Sequence, residues 1–231
     1  MINILSRKSV SNVVNSLSKK LFFSALLIIL TGGTISSKAA TIVVPNGGNL
    51  QAAINAANFG DTIILAAGGT YTAPGRQVAF NLPLKSGGTG TAADYITITT
   101  SNLANLPTGR VSPSDRVNMA KIVAIGGRGA FQIMPNARHW KLVGLEITNS
   151  SSGTEAEHVQ DLLGSADSGF RRSSKPAHFI IDRCYIHPQE DGLPTTDPNY
   201  NFRTVSHGVA WNVSDLTISN SRLSGFFGTF R

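Results

Sequence analysis

The polar residues best suited to chemistry lie near the C-terminal end of this 231-residue sequence. His187 follows an apolar run and leads into segment 188–197, and Arg203 and His207 come shortly after that segment. Imidazole and guanidinium groups can pair with carboxylates, and imidazole can also carry a proton near neutral pH. We therefore expect this region to form one side of a binding groove.

Segment 188–197 also holds three carboxylates, Glu190, Asp191 and Asp197. Carboxylate oxygens are the ligands that Ca²⁺ takes in proteins, and this spacing is loose enough to hold the ion. The spacing matches no defined calcium-binding loop, however. A Ca²⁺ site and a solvated surface loop both remain open, and the surface loop is the simpler interpretation.

Segment 149–177 is predicted to be an insertion between repeated strands, and it carries charges of both signs. Loops that leave a repeat structure at the same corner line up along one face, where binding sites often lie. Such charges suit an extended sugar polymer with carboxylate groups, although they also suit an ordinary surface loop. The candidate substrate-binding residues are Arg171, Arg172, Lys175 and, outside the insertion, His187.

The composition favours β-structure and argues against a nucleic-acid partner. Only 14% of the residues are charged, against about 25% in an average protein, and 23 residues are glycine. The net charge of +7 is concentrated in residues 1–39, which contain five basic residues and no acidic one. The remaining 15 basic and 13 acidic residues leave no basic stripe of the kind that binds DNA or RNA.

The first 39 residues have the features of a secretory signal peptide. Lys19 and Lys20 precede the ten-residue apolar run 21–30, and small residues at Ser37 and Ala39 suit a signal peptidase. The apolar run is about half the length of a membrane-spanning helix. We therefore predict cleavage after Ala39, a secreted or periplasmic protein without a transmembrane span, and a mature domain at 40–231.

Several short elements can be predicted along the mature chain. Apolar residues at helical spacing predict a helix over 50–57 with Asn49 as its cap. Cys184 is the only cysteine, so an intrachain disulfide is excluded and it should behave as a small buried apolar residue. Strands are predicted at 41–44, 61–65, 95–99 and 121–125, with a loop outside the core at 102–115.

An eight-residue pattern that occurs three times predicts the fold. The copies are 140–147, 179–186 and 216–223, and their starts lie 39 and 37 residues apart. In each copy the first, third, sixth and eighth positions are apolar, except for Ser221 in the third copy. This spacing fits two short strands joined by a two-residue corner, with alternate side chains facing inward. A repeat of this length calls for a stacked architecture.

Residues between these copies extend the pattern. Gly144 and Asn220 occupy the corner position, where a left-handed backbone is easiest, whereas Arg183 breaks the pattern and predicts a different turn in the second copy. Apolar pairs at Phe131/Ile133 and Val209/Trp211 predict a third strand per repeat. An antiparallel sandwich is the alternative, but no tight hairpin dipeptide separates the paired strands.

His139 and His178 occupy equivalent repeat positions, each just before an aromatic residue. Such periodic placement predicts structural, outward-facing side chains.

The sequence resembles a known group of proteins, the bacterial secreted right-handed parallel β-helix proteins of the pectate-lyase-like superfamily. The resemblance rests on Asn49–Leu65 with Gly68–Tyr71, and continues through motifs such as Gly144–Ile147 and Ile181–His187. It implies an all-β, right-handed parallel β-helix with an N-terminal amphipathic capping helix. Because the chain ends one corner after the third copy, we expect a fragment whose C-terminal coils are missing, and a monomer at full length. Closure of the chain on a partner or on itself is the alternative.

The resemblance also implies two classes of function. Polysaccharide lyases of this type neutralise a uronate carboxylate with Ca²⁺ or a basic residue while a base removes the proton at C5. No lyase motif matches, and Arg183, Arg203 and His207 are the candidates for base or carboxylate binder. The first class is a polysaccharide-active enzyme, a lyase ahead of a glycoside hydrolase, and the second is a non-catalytic β-helix that binds carbohydrate or belongs to the cell surface.

Overall fold

The computed structural model describes residues 39–75, 78–86, 91, 94–150, 159–166, 174–189, 205–226 and 228–230. In these residues the chain forms sixteen strands in three sheets. Sheet A contains β1 Thr41–Val44, β2 Thr62–Leu65, β5 Ile96–Thr100, β8 Arg138–Val143, β11 Ala177–Asp182 and β14 Leu216–Ser219. Sheet B contains β3 Thr70–Thr72, β6 Ala120–Ala124, β9 Leu145–Asn149, β12 Tyr185–Ile186 and β15 Arg222–Leu223. Sheet C contains β4 Phe80–Leu82, β7 Phe131–Ile133, β10 Val159–Ser165, β13 Val205–Val209 and β16 Gly228–Phe230.

The chain is an all-β parallel solenoid. From β2 onward it visits sheets A, B and C in turn and then returns to sheet A, one strand per sheet in each coil. Every pairing between neighbouring strands of the three sheets is parallel. Stacked coils of this kind explain the repeat in the sequence, and the antiparallel sandwich is excluded.

The eight-residue pattern sets the register between coils. Phe179 is paired with both Trp140 and Leu216, and Ile186 is paired with both Ile147 and Leu223. The inward positions of the first two copies, Cys184 included, are fully buried in one continuous apolar core. Burial raises the pKa of the Cys184 thiol to about 12, so it stays protonated and packs as the small apolar residue we predicted.

The corner between sheets A and B has a left-handed backbone in all three copies. Gly144, Arg183 and Asn220 have φ values of 65°, 51° and 50°, so the prediction of a different turn at Arg183 was wrong. Asp182 supplies the reason, because its carboxylate accepts hydrogen bonds from Arg183 Nε (2.9 Å), Ser219 Oγ (2.9 Å) and Asn220 Nδ2 (3.0 Å). Burial raises the pKa of Asp182, but these donors outweigh it and hold the pKa below its usual value.

The first elements of the described chain form as predicted. Helix α1 spans Leu50–Ala56, and the Asn49 side chain caps it by accepting a hydrogen bond from Ala52 N at 2.9 Å. Leu50 and Ile54 are buried and belong to the core. Asp61 then fixes the start of β2 by accepting hydrogen bonds from Ala40 N and Asn58 N.

Segment 149–177 is not wholly an insertion, which corrects the prediction. Its central part forms β10, which pairs with β7 and β13 as the third strand of its coil. Val159, Leu162 and Leu163 on this strand are buried in the core. The other predicted third strands form as β7 and β13, although Trp211 lies just beyond the end of β13.

Segment 102–115 lies outside the main core, as expected, and packs against sheet B. It contains a 3-10 helix at Leu103–Asn105 and the start of another at Pro113–Asn118. Leu106, Val111 and Met119 form a separate apolar cluster with Tyr185 of β12. Among the residues that the structure describes, no helix is both long and apolar enough to span a membrane.

Candidate functional site

The outer face of sheet C has the clearest candidate site, because two clefts open there. The connections that precede β10 and β13 are the segments 150–158 and 187–204. Most of both segments lies outside the described residues. Two adjoining clefts lie on this face, with volumes of about 650 and 400 Å³.

Asp161 and His207 form a hydrogen-bonded pair at this site. The parallel register of β10 and β13 places the two residues directly opposite each other. His207 Nδ1 lies 2.8 Å from Asp161 Oδ1, and the two side chains are 17% and 27% exposed. The pair is therefore sheltered and still accessible from the solvent.

This hydrogen bond determines which nitrogen of neutral His207 carries the proton. An ionised carboxylate can only accept hydrogen bonds, so Nδ1 of His207 must donate to Asp161. The Nε2 atom then carries the lone pair, and it has no hydrogen-bond partner in the described part of the chain. An imidazole oriented by a carboxylate in this way is a common form of general base.

Arg128 lines the smaller cleft together with Asp161. Both clefts are lined by Gln160, Asp161 and Ser165. Arg128 lines only the smaller cleft, and Trp211 lines only the larger one. Among the described lining residues, Arg128 is the only cation and Asp161 the only carboxylate. The site therefore combines one oriented base with one arginine that can bind an anion.

Gly129 brings the Arg128 segment against the backbone of β10. Ala130 N donates to Leu162 O at 2.7 Å. A Cβ atom added to Gly129 would collide with Asp161 O and would lie 2.5 Å from Leu162 O. Glycine is therefore needed for this close approach, which places Arg128 next to Asp161.

The nearby serine is not arranged as a nucleophile. Ser165 Oγ accepts a hydrogen bond from Asn212 N at 2.9 Å and donates to Ala210 O at 3.4 Å. Both contacts fix the connection that follows β13, and neither involves His207. In the described residues the site thus holds a histidine–carboxylate pair without a hydroxyl nucleophile.

The structure separates the residues predicted from sequence. His207 borders the site through its hydrogen bond to Asp161, although it lines neither cleft itself. Arg183 is held in the corner by Asp182, and His187 contacts Glu146 on sheet B. Lys175 also lines neither cleft. Six of the predicted residues lie outside the described part of the chain: Arg171, Arg172, Arg203, Glu190, Asp191 and Asp197. The described ranges contain no group of three side chains able to hold a metal ion.

Arg128 was missed by sequence reasoning. The glycines on both sides of it in the run Gly126–Gly129 were a usable signal of a close backbone approach.

The histidines at the equivalent repeat positions form a stack on the outside of sheet A. The rings of His139 and His178 stack with centroids 4.8 Å apart, and His178 Nδ1 lies 2.7 Å from Asp215 Oδ2. His178 is exposed, as predicted, but His139 is buried under the ring edges of Phe59 and Tyr95. Burial, together with the charge of His178, lowers the pKa of His139.

Comparison with known proteins gives one structural likeness. No protein-family model matches the chain, and no curated protein matches it. One solved structure, "Crystal structure of alginate lyase from Paenibacillus sp. str. FPU-7", is similar over 78% of this chain with 18% identity and a TM-score of 0.39. This chain spans 57% of the length of that lyase. A likeness this weak does not transfer the activity in that title to this chain.

Proposed function

We propose that this chain is an extracellular polysaccharide lyase that cleaves uronate-containing glycans on the outer face of sheet C. The observation that carries this proposal is the Asp161–His207 pair, which leaves Nε2 of His207 available as a base. The cleft on which it borders also contains Arg128, which can pair with a sugar carboxylate.

The proposed reaction is a β-elimination at a uronate residue. His207 Nε2 removes the proton at C5, and Arg128 stabilises the negative charge that develops on the adjacent carboxylate. The C5–H electron pair then forms the C4–C5 double bond while the bond from C4 to the glycosidic oxygen breaks. A proton from the imidazolium or from water completes the leaving hydroxyl group, so that no oxidant or other co-reactant is needed.

The geometry favours a lyase over a glycoside hydrolase. A glycoside hydrolase needs two carboxyl groups on opposite sides of the glycosidic bond, separated by about 5–10 Å. Among the described residues that line the clefts, Asp161 is the only carboxylate, and its Oδ1 atom is already engaged by His207. The oriented imidazole of His207 is the feature that favours an enzyme over a protein that only binds carbohydrate.

We propose that residues 1–39 direct export and that the full-length protein is a monomer. We also propose that the coil is right-handed and that α1 covers its first turn. The burial of Leu50 and Ile54 in the core supports the last point.

The role of Arg128 leads to the first prediction. The test compares polymannuronate, polygalacturonate and a glucuronate polymer with the same polymers after chemical reduction of their carboxyl groups. We expect the protein to cleave at least one polyuronate and to leave the reduced form of that polymer intact. We also expect Arg128→Gln to lower kcat/KM about 10–100-fold, because the charge-assisted pair between Arg128 and the sugar carboxylate is lost. Initial rates of ultraviolet-absorbing product measure both effects.

Arg110→Gln serves as the matched control, because Arg110 is exposed in the segment that packs on sheet B and lines neither cleft. It should keep the kcat/KM of the unmodified protein. Equal cleavage of native and carboxyl-reduced polymers would contradict a carboxylate-directed site, and failure to cleave any polymer would favour a non-catalytic binding protein.

A further inference from the structure

The outer face of sheet B carries a second polar cluster that the proposed reaction does not use. The parallel register places Lys121 of β6 beside Glu146 of β9, and Glu146 beside Tyr185 of β12. Two residues further along, Val123 lies beside Thr148. The residues between them, such as Ile122 and Ile147, face the core, so the side chains of this cluster project outward.

A buried carboxylate organises this cluster. Glu146 is only 4% exposed, and its Oε1 lies 3.3 Å from Lys121 Nζ and 3.2 Å from His187 Nε2. Burial raises the pKa of Glu146, but the hydrogen bond from His187 and the charge of Lys121 hold it below its usual range. The Lys121 ammonium group is therefore fixed and already paired with a negative charge.

A cleft of about 430 Å³ opens beside Lys121. Its lining includes six hydroxyl or amide side chains, among them Thr70, Thr148, Ser150 and Gln189, and the apolar side chains of Val123 and Ile125. None of these residues lines either cleft on sheet C. This cleft is therefore a separate site on a different face of the solenoid.

Thr148 gives an independent indication of a ligand. This residue lines the cleft and is 4% exposed, and its Oγ1 has no hydrogen-bond partner in the described part of the chain. Buried polar groups in native proteins are normally hydrogen-bonded, and an unpaired one lowers stability. The Oγ1 atom has almost no accessible surface in this conformation, so a ligand oxygen in the cleft would supply the missing partner once the Thr148 side chain turns toward it.

We propose that this cleft binds a pyranose residue of a glycan chain through its hydroxyl groups. Hydroxyl and amide side chains both donate and accept, which matches sugar hydroxyls, and Val123 and Ile125 can contact the apolar face of the ring. Because Glu146 neutralises Lys121, the described lining residues include no unpaired cation to favour a phosphate or a polyanion. The inference rests on the proposed function only in the choice of a glycan as the ligand.

Methyl NMR tests this site directly, since Thr70, Thr72, Val123, Ile125 and Thr148 all carry methyl groups. The experiment titrates oligomannuronate, oligogalacturonate, cello-oligosaccharide and xylo-oligosaccharide into the full chain with His207→Ala, which prevents cleavage. We expect saturable shifts of the Val123, Ile125 and Thr148 methyl signals with at least one oligosaccharide at millimolar concentration or below. Thr148→Val should weaken this binding about 10-fold, because it removes one hydrogen bond and keeps the shape of the side chain.

Thr97→Val, on the outer face of sheet A, is the matched control and should leave the binding unchanged. Ser150→Ala is a second test at an exposed position of the cleft, and it should also weaken binding. The proposal is overturned if no oligosaccharide shifts these methyl signals, or if both cleft variants bind as tightly as the parent. The result is independent of the proposed reaction, since cleavage is read on sheet C and binding on sheet B.

Discussion

Replacing His207 with alanine is expected to lower kcat for polyuronate cleavage by about 10²–10⁴-fold, the usual contribution of a general base. The expectation follows from the 2.8 Å hydrogen bond to Asp161, which fixes Nε2 as the basic atom of the ring. Folding should be nearly unaffected, since the Asp161 side chain is 27% exposed and can be solvated. Initial rates of double-bond formation give kcat, and a urea titration gives stability.

Two further variants show whether the effect is specific. Asp161→Asn should lower kcat to a similar extent, since an amide can donate to Nδ1 and stabilise the wrong tautomer. His178→Ala is the matched control, because His178 forms a similar pair at 2.7 Å with Asp215, which lines neither cleft, whereas Asp161 lines both. If His207→Ala and His178→Ala have the same activity, His207 is not the base.

Gly129→Ala is expected to destabilise the fold and also to lower activity. The added Cβ would overlap Asp161 O and lie 2.5 Å from Leu162 O, so β10 or the Arg128 segment must move. Such overpacking against backbone typically lowers the free energy of unfolding by about 1–3 kcal/mol. Here the shift would also displace Arg128 from Asp161. Urea denaturation measures the loss in free energy of unfolding, and kcat/KM measures the loss of alignment.

Gly109→Ala is the control for this variant, since a Cβ at Gly109 would meet nothing within 4 Å. It should leave both stability and activity close to those of the parent. If Gly129→Ala is as stable and active as Gly109→Ala, the close approach of the Arg128 segment to β10 is not required.

The fold was predictable because inward apolar residues leave a strict pattern in each pair of strands. Trp140, Phe179 and Leu216 fall at the same repeat position, and the structure stacks them in successive coils. The corner at Arg183 was not predictable from residue type alone, since its left-handed backbone is held by the Asp182 carboxylate.

The candidate site was only partly predictable. His207 was selected for its chemistry, but its partner Asp161 lies 46 residues earlier and meets it through the register of β10 and β13. Strand β10 was missed because Leu162 and Leu163 are adjacent and break the alternation that marks a strand. A single sequence reveals the alternation of apolar and polar residues within one strand. It does not reveal which residues of two distant strands are paired.

The most direct test of the account is the ratio of new double bonds to new reducing ends in the products. Elimination creates one C4–C5 double bond for every new reducing end. Hydrolysis creates new reducing ends without any double bond. The full chain should give equal amounts of both from a polyuronate, and both should fall together in His207→Ala. New reducing ends without double bonds, or no products from any polyuronate, would contradict the assignment of His207 as the base of a lyase.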